Sequence, residues 1–149
     1  MENVKEINQD ISIATNQPSA EQFEQAKAAG FKSVLNLRAA GEEGAIAQES
    51  QQVASAGLTY ANIPVKPSEM DEALANEILE QIEQLPKPVL AHCKSGLRSG
   101  AMALMYDAVK NNKSAEEALD KGKMSGFDCD AHPEMKKFFV SYINEHSDA

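Results

Sequence analysis

The chain has 149 residues, which suits one domain with a buried core, and we predict a single domain over residues 1–149. Its formal net charge of −9 argues against nucleic acid and anionic membranes as partners, and no apolar run approaches the roughly 20 residues that span a bilayer. The polar, acidic N-terminus lacks the apolar core of a signal peptide and the two cysteines do not form a dense disulfide framework, so we expect a cytoplasmic protein.

Predicted strands and helices alternate along the chain. Apolar runs between turn residues predict strands at residues 11–14, 32–37, 58–63 and 89–91. Capping signals and helical apolar spacing predict six helices. The first runs from the capping box of Ser19 and Gln22 to Gly30, the second from about residue 45 to Gly57, and the third from the pair Ser68 and Asp71 to Pro86. The fourth covers residues 97–110, the fifth follows the capping box of Ser114 and Glu117, and the sixth follows Pro133. This alternation predicts an α/β domain with a largely parallel central sheet flanked by helices.

The stretch of residues 89–100 carries the strongest chemical signal. A strand that is apolar on both faces ends at His92, Cys93 follows, and a short loop leads into a helix. Backbone N–H groups in such a loop converge on one point, and the helix N-terminus adds positive potential there. That field favours the thiolate over the thiol, so Cys93 is predicted to be a nucleophile.

The residues after Cys93 complete a predicted anion site. Arg98 offers a planar fork suited to phosphate or sulfonate, and Ser99 can donate its hydroxyl to the thiolate. His92 is predicted to hold the loop through hydrogen bonds rather than to act as a general base. A cysteine at a strand end is commonly only a small buried hydrophobe, and it is the combination with arginine, glycine and a following helix that favours catalysis or oxyanion binding. The predicted anion-binding loop comprises Lys94, Ser95, Gly96, Leu97 and Ser99.

The motif HCxxGxRS at residues 92–99 resembles the signature loop shared by cysteine phosphatases and rhodanese-type sulfurtransferases. The run VLNLR at residues 34–38, followed by Glu42 and Glu43, resembles a segment of the dual-specificity-phosphatase fold, and the resemblance covers about residues 5–145. It is closest to the bacterial phosphatase-like domain family that also occurs fused to metallo-β-lactamase-fold persulfide enzymes. It implies a cysteine-phosphatase architecture with Cys93 and Arg98 as catalytic residues.

Two departures from the phosphatase pattern favour sulfur chemistry. Cysteine phosphatases place five residues between the nucleophile and the arginine, whereas four stand between Cys93 and Arg98, as in rhodaneses. Phosphatases of this fold also present an aspartate as general acid before the third helix, and residues 64–69 contain none. Glu69 or Asp71 would have to substitute, although Asp71 stands where a helix cap is expected.

The remaining candidates are predicted to be structural. Arg38 is expected to pair with Glu42 or Glu43 and to shape the loop near the site. Cys129 lies between two aspartates, which should blunt it as a nucleophile, so we predict a loop residue rather than a resolving thiol. We expect no structural zinc site, because four ligands are needed and the chain has two cysteines and three histidines.

The sequence as a whole favours a cysteine-dependent sulfurtransferase, rhodanese-like, that moves sulfur from thiosulfate or a persulfide through Cys93. One alternative is a phosphatase of phosphotyrosine or small aryl phosphates, and another is a non-catalytic module that binds an oxyanion or carries a persulfide. Each would act on a small anion and needs no cofactor or metal. A separate enzyme of sulfur metabolism is an expected partner.

Overall fold

A computed structural model of the chain describes residues 3–38, 48–65, 71–93, 97–127 and 133–147. The elements within these ranges alternate as the sequence predicts. The strands are β1 (Val4–Asn8), β2 (Ile11–Ala14), β3 (Ser33–Asn36), β4 (Thr59–Asn62) and β5 (Val89–His92). The helices are α1 (Ala20–Ala28), α2 (Glu49–Ser55), α3 (Glu72–Gln84), α4 (Leu97–Lys110), α5 (Ala115–Met124) and α6 (Pro133–His146).

The described strands form one sheet in the order β1-β2-β5-β3-β4. Only β1 is antiparallel to its neighbour, so the prediction of a largely parallel sheet is confirmed. The central strand β5 pairs with β2 on one side and with β3 on the other, so that His92 lies in register with Ala14 and Asn36. The carboxyl ends of three parallel strands therefore meet at one edge, directly before Cys93.

The apolar runs of the inner strands are explained by helices on both faces of the sheet. One apolar cluster joins residues of β2, β3 and β5 to α3, α4 and α6, and a second joins the alternate residues of the same strands to α1 and α2. The helix α4 packs against β1, β2 and β5 as well as three other helices, which places it at the centre of the fold. The aromatic helix α6 packs mainly against α4 and α5, and its buried residues belong to the same apolar cluster as residues of β2, β3 and β5.

The capping signals in the sequence begin the helices where predicted. Ser19 and Gln22 form a reciprocal capping box on α1, and Ser114 and Glu117 form another on α5. Asp71 is itself the N-cap of α3, accepting a hydrogen bond from the backbone N–H of Leu74 at 2.8 Å. Ser68, its predicted partner, lies outside the described residues. The second helix begins at residue 49 rather than near 45, and residues 45–47 are also outside the described ranges.

The strand β1 is absent from the sequence-based prediction. It reads VKEIN, with two charged residues at positions 5 and 6, because an edge strand needs only one apolar face. Asn8 ends the strand and turns the chain, since its side-chain oxygen accepts from the backbone N–H groups of Asp10 and Ile11. In the described part of the chain, no helix is both long and apolar enough to cross a bilayer.

Candidate active site

Cys93 lies directly beyond the carboxyl end of the central strand, at the position where parallel α/β sheets place their ligands. It is buried, with 1% of its surface exposed. Ser99, in the first turn of α4, is equally buried, and its hydroxyl donates to the Cys93 sulfur at 3.4 Å. This donor can stabilise a thiolate, because a hydrogen bond to the charged form favours that form.

Arg98 is the second predicted catalytic residue, and it too is largely buried, with 8% exposed. Its Nη1 donates to the backbone carbonyl of Val65 at 2.6 Å. The N–H of Val65 in turn donates to the carbonyl of Leu37 at 2.9 Å, so the segment after β4 is fixed to the end of β3. The guanidinium is thus oriented by the main chain of the segment that follows β4.

His92 is held by its backbone and its ring together. Its carbonyl accepts from the N–H of Leu37 at 2.9 Å, and its Nε2 lies 2.8 Å from Oε2 of Glu49. Both side chains are buried, at 0% and 1% exposed. A hydrogen-bonding role is what the sequence predicts for His92, but the partner Glu49 was missed.

Glu49 gives only a weak signal in the sequence. It stands in the first turn of α2, four residues before the fully buried Val53, and so shares the buried face of that helix. A carboxylate on a buried helical face requires a partner, and that requirement was the available clue. The partner lies 43 residues further along the chain, so the sequence does not identify it.

Arg38 is buried at the end of β3 and is bound through its backbone and its side chain. Its N–H donates to the side chain of Asn36, and its carbonyl accepts from Asn62. Its Nη1 donates to Oε1 of Gln17 at 3.2 Å, and Nε2 of Gln17 donates to Oε1 of Glu49. The predicted partners Glu42 and Glu43 lie outside the described residues.

Tyr60 completes the polar surroundings of Glu49. Its hydroxyl accepts a hydrogen bond from Asn36 at 3.0 Å. Burial raises the pKa of Tyr60 to about 12. The hydrogen bond from Asn36 lowers this pKa, and the negative charge of Glu49 raises it further. Tyr60 is therefore a neutral phenol throughout the physiological range.

Ser99 contacts Cys93, Arg98 precedes Ser99 in the first turn of α4, and His92 and Arg38 lie at the adjoining ends of β5 and β3. Asp71 is instead engaged as a helix cap. The other predicted site residues lie outside the described residues or have undescribed side chains: Lys94, Ser95, Gly96, Leu97, Glu69 and Cys129. Among the described residues, only Glu72, Glu145 and His146 bring three candidate metal-ligand atoms within 4.8 Å, and none of them belongs to the predicted site.

Comparison with known proteins places these features in a family. The model of the beta-lactamase hydrolase-like protein, phosphatase-like domain matches residues 3–110. A beta-lactamase hydrolase-like protein of Agrobacterium fabrum is 34% identical over 125 residues, which are 82% of this chain and 29% of that protein. One from Xylella fastidiosa is 30% identical over 128 residues, 84% of this chain and 30% of the other. The chain thus spans about three tenths of the length of these relatives.

Solved structures similar to the chain include phosphatases of about 20% sequence identity. Tk-PTP superimposes with a TM-score of 0.78, covering 97% of both chains at 20% identity. TpbA of P. aeruginosa, solved in complex with pTyr, gives a TM-score of 0.77 at 20% identity over 96% of this chain and 88% of that one. The PP-IP phosphatase SIW14 of S. cerevisiae, solved with citrate, gives 0.75 at 20% identity over 97% and 90%. These similarities show that the fold has the cysteine-phosphatase architecture.

Proposed function

The chain belongs to the beta-lactamase hydrolase-like protein, phosphatase-like domain family, and from its shortened signature loop we propose that it is a sulfurtransferase acting through a persulfide on Cys93. The observation that carries the proposal is the count of four residues between Cys93 and Arg98. A loop whose N–H groups all point inward encloses a smaller space when it loses one residue. That smaller space suits a terminal sulfur better than a phosphoryl group with its three equatorial oxygens.

The engagement of Asp71 supports the same choice. A phosphate monoester leaves as an alkoxide or phenoxide and benefits from a general acid. The carboxylate of Asp71 instead accepts the N–H of Leu74, as helix N-caps do, and lies at the surface. Sulfur transfer from thiosulfate needs no such acid, because sulfite is a good leaving group.

In the first step of the proposed reaction, the Cys93 thiolate attacks the outer sulfur of thiosulfate. A new sulfur–sulfur bond forms, the original one breaks, and sulfite departs with the electron pair, leaving a Cys93 persulfide. Arg98, Lys94 and the loop amides hold the anionic donor, while the hydroxyl of Ser99 stabilises the sulfur of Cys93. This is covalent catalysis with two half-reactions.

In the second step, an acceptor thiolate or cyanide attacks the terminal sulfur of the persulfide. The product is a new persulfide or thiocyanate, and the Cys93 thiolate is regenerated with no external oxidant or reductant. We propose that a separate enzyme of sulfur metabolism supplies or accepts the sulfur.

A phosphatase is the second candidate, and the names of the family and of the similar structures support it more directly than sulfur transfer. Cys93 would then attack phosphorus to form a phosphocysteine, which water hydrolyses. The complex of TpbA with pTyr makes phosphotyrosine the first substrate to test. The third candidate, a persulfide carrier or oxyanion-binding module, would use the same thiolate without turnover.

The deciding experiment supplies the purified protein with thiosulfate and cyanide and measures thiocyanate, beside parallel assays with phosphotyrosine and phenyl phosphate. We expect thiocyanate formation, a mass gain of one sulfur on Cys93 with thiosulfate alone, and loss of both in Cys93→Ser. Cys129→Ser is the matched control and should behave like the unaltered protein. Phosphate release far above thiocyanate release would overturn the proposal in favour of the phosphatase, and a mass gain without turnover would identify a carrier.

A further inference from the structure

Four side chains form a continuous hydrogen-bonded chain from the end of β3 to the residue before Cys93. Nη1 of Arg38 donates to Gln17, Nε2 of Gln17 donates to Glu49, and the other oxygen of Glu49 meets Nε2 of His92. We propose that this series of hydrogen bonds holds the hydrogen of His92 on Nε2. We further propose that Glu49 is a positioning residue for the catalytic cysteine. The inference rests on the proposed function only in taking Cys93 as the nucleophile.

The donor and acceptor of each hydrogen bond in this series follow from its first member, Arg38. A guanidinium can only donate hydrogen bonds, so the atom of Gln17 that faces Arg38 must be its carbonyl oxygen. The amide nitrogen of Gln17 then faces Glu49 and donates to Oε1. A carboxylate only accepts, so Oε2 requires a donor, and the facing atom is Nε2 of His92.

Burial keeps water from replacing these bonds. Arg38 is 3% exposed, Glu49 is 1% exposed and His92 is fully buried. In such surroundings an unmade hydrogen bond is not recovered from solvent, so each member constrains the next. Gln17 is the only member of the four that is partly exposed.

The consequence for the site is a fixed ring next to the nucleophile. With the hydrogen on Nε2, the buried Nδ1, which has no hydrogen-bond partner among the described residues, presents a lone pair rather than a donor. His92 therefore offers no donor from Nδ1, while the hydroxyl of Ser99 donates to the sulfur of Cys93. The ring anchors the strand end from which Cys93 is presented, as carboxylates do for histidines in other active sites.

The substitution Glu49→Gln is the sharpest test because it keeps the shape and replaces one acceptor with a donor. The amide oxygen of the substituted side chain can accept the hydrogen bond from Nε2 of Gln17. Its NH₂ group then faces Nε2 of His92, where Glu49 had an acceptor. We therefore expect the hydrogen of His92 to move to Nδ1, and the rate of Cys93 alkylation by iodoacetamide to fall about tenfold. A merely structural role for Glu49 would change neither the tautomer nor the reactivity of a folded variant.

The tautomer is read from long-range proton–nitrogen spectra of protein labelled with ¹⁵N-histidine. The chain has three histidines, and His132→Gln and His146→Gln variants assign the signals. Alkylation is followed at Cys93 by peptide mass spectrometry. Asp107→Asn is the matched control, since Asp107 is a buried carboxylate of α4 that accepts from Asn8 and two lysines; it should lower stability without altering the His92 signals or the alkylation rate.

An Nδ1–H ring in the unaltered protein would overturn the inference, and this measurement needs no variant to fold. A folded Glu49→Gln protein with unchanged spectra and unchanged alkylation would overturn it as well. Neither readout requires a sulfur donor. If both behave as expected but no thiocyanate forms, the proposed function fails while the role of Glu49 stands.

Discussion

The two residues proposed to bind the reacting anion are oriented in different ways. Arg98 is held by a backbone carbonyl from the segment after β4, whereas Cys93 is held by its own strand and by the hydroxyl of Ser99. Both are buried, so small displacements of the strand ends move the sulfur and the guanidinium relative to each other. Precise placement therefore depends on the pairing of β2, β3 and β5.

Asp71 separates the two enzymatic candidates through one substitution. Serine caps helices as well as aspartate does but cannot act as a carboxylic acid. We expect Asp71→Ser to retain both its melting temperature and its thiocyanate formation, whereas Asp71→Ala should lose about 1 kcal/mol of stability because the N–H of Leu74 loses its acceptor. Thermal unfolding and parallel turnover assays measure both effects.

The rate of phenyl phosphate hydrolysis tests whether Asp71 is a general acid. If this carboxylate were a general acid, Asp71→Ser would lower that hydrolysis by a factor of about 10² or more while leaving the fold intact. Such a loss would contradict the role of Asp71 as a cap alone.

At the scale of elements, the first turn of α4 is fitted closely to Phe127. A Cβ added at Gly100 would lie 2.7 Å from Cγ of the Phe127 ring, far inside van der Waals contact. The same turn carries Arg98 and Ser99. The aromatic residue after α5 therefore sets the position of the helix end that faces Cys93.

We expect Gly100→Ala to destabilise the protein by about 1–3 kcal/mol through overpacking and to slow Cys93 alkylation, since the turn must shift. Denaturant unfolding and alkylation rates measure the two effects. The second change Phe127→Leu should restore part of the loss by vacating the space of the ring. If the double variant is as impaired as the sum of the single variants, the contact does not couple them.

Helix ends were predictable because their signals are local. The boxes at Ser19 and Ser114 lie within three residues of their partners, and the helix after Cys93 begins and ends where its sequence indicates. The edge strand β1 was not predicted, since its identity comes from pairing with β2 rather than from its own composition. The same limit hid the role of Glu49 on α2, because its buried partner His92 lies 43 residues away on β5.

At the scale of the whole molecule, Asp107 joins the edge strand to the outer helices. It accepts hydrogen bonds from Asn8 at the end of β1, from Lys113 before α5 and from Lys121 within α5. Burial alone would raise the pKa of Asp107, but these three donors outweigh it and hold the pKa below the ordinary value of 3.8. The backbone of Asp107 lies about 12 Å from that of Ser99 along the axis of α4, at 1.5 Å per residue.

Because the pKa of Asp107 is lower in the folded protein, part of the free energy of unfolding depends on pH. A carboxylate whose pKa is lower in the folded state stabilises the fold above its ordinary pKa, and this contribution is lost as the pH falls through the lowered value. We expect Asp107→Asn to be less stable than the unaltered protein at neutral pH, by about 1–3 kcal/mol, and the difference to shrink below about pH 4. Urea unfolding across pH measures the difference, and a constant difference down to pH 2 would contradict the prediction.

The carbonyl of Val65 that orients Arg98 has a consequence for how the protein can change over generations. Every amino acid supplies the same oxygen at that position, so no exchange of residue 65 can delete the acceptor. The orientation of the guanidinium therefore depends on the path of the backbone and not on which side chain stands at position 65. Insertions or deletions after β4, more than replacements, are the changes that would alter the orientation of Arg98.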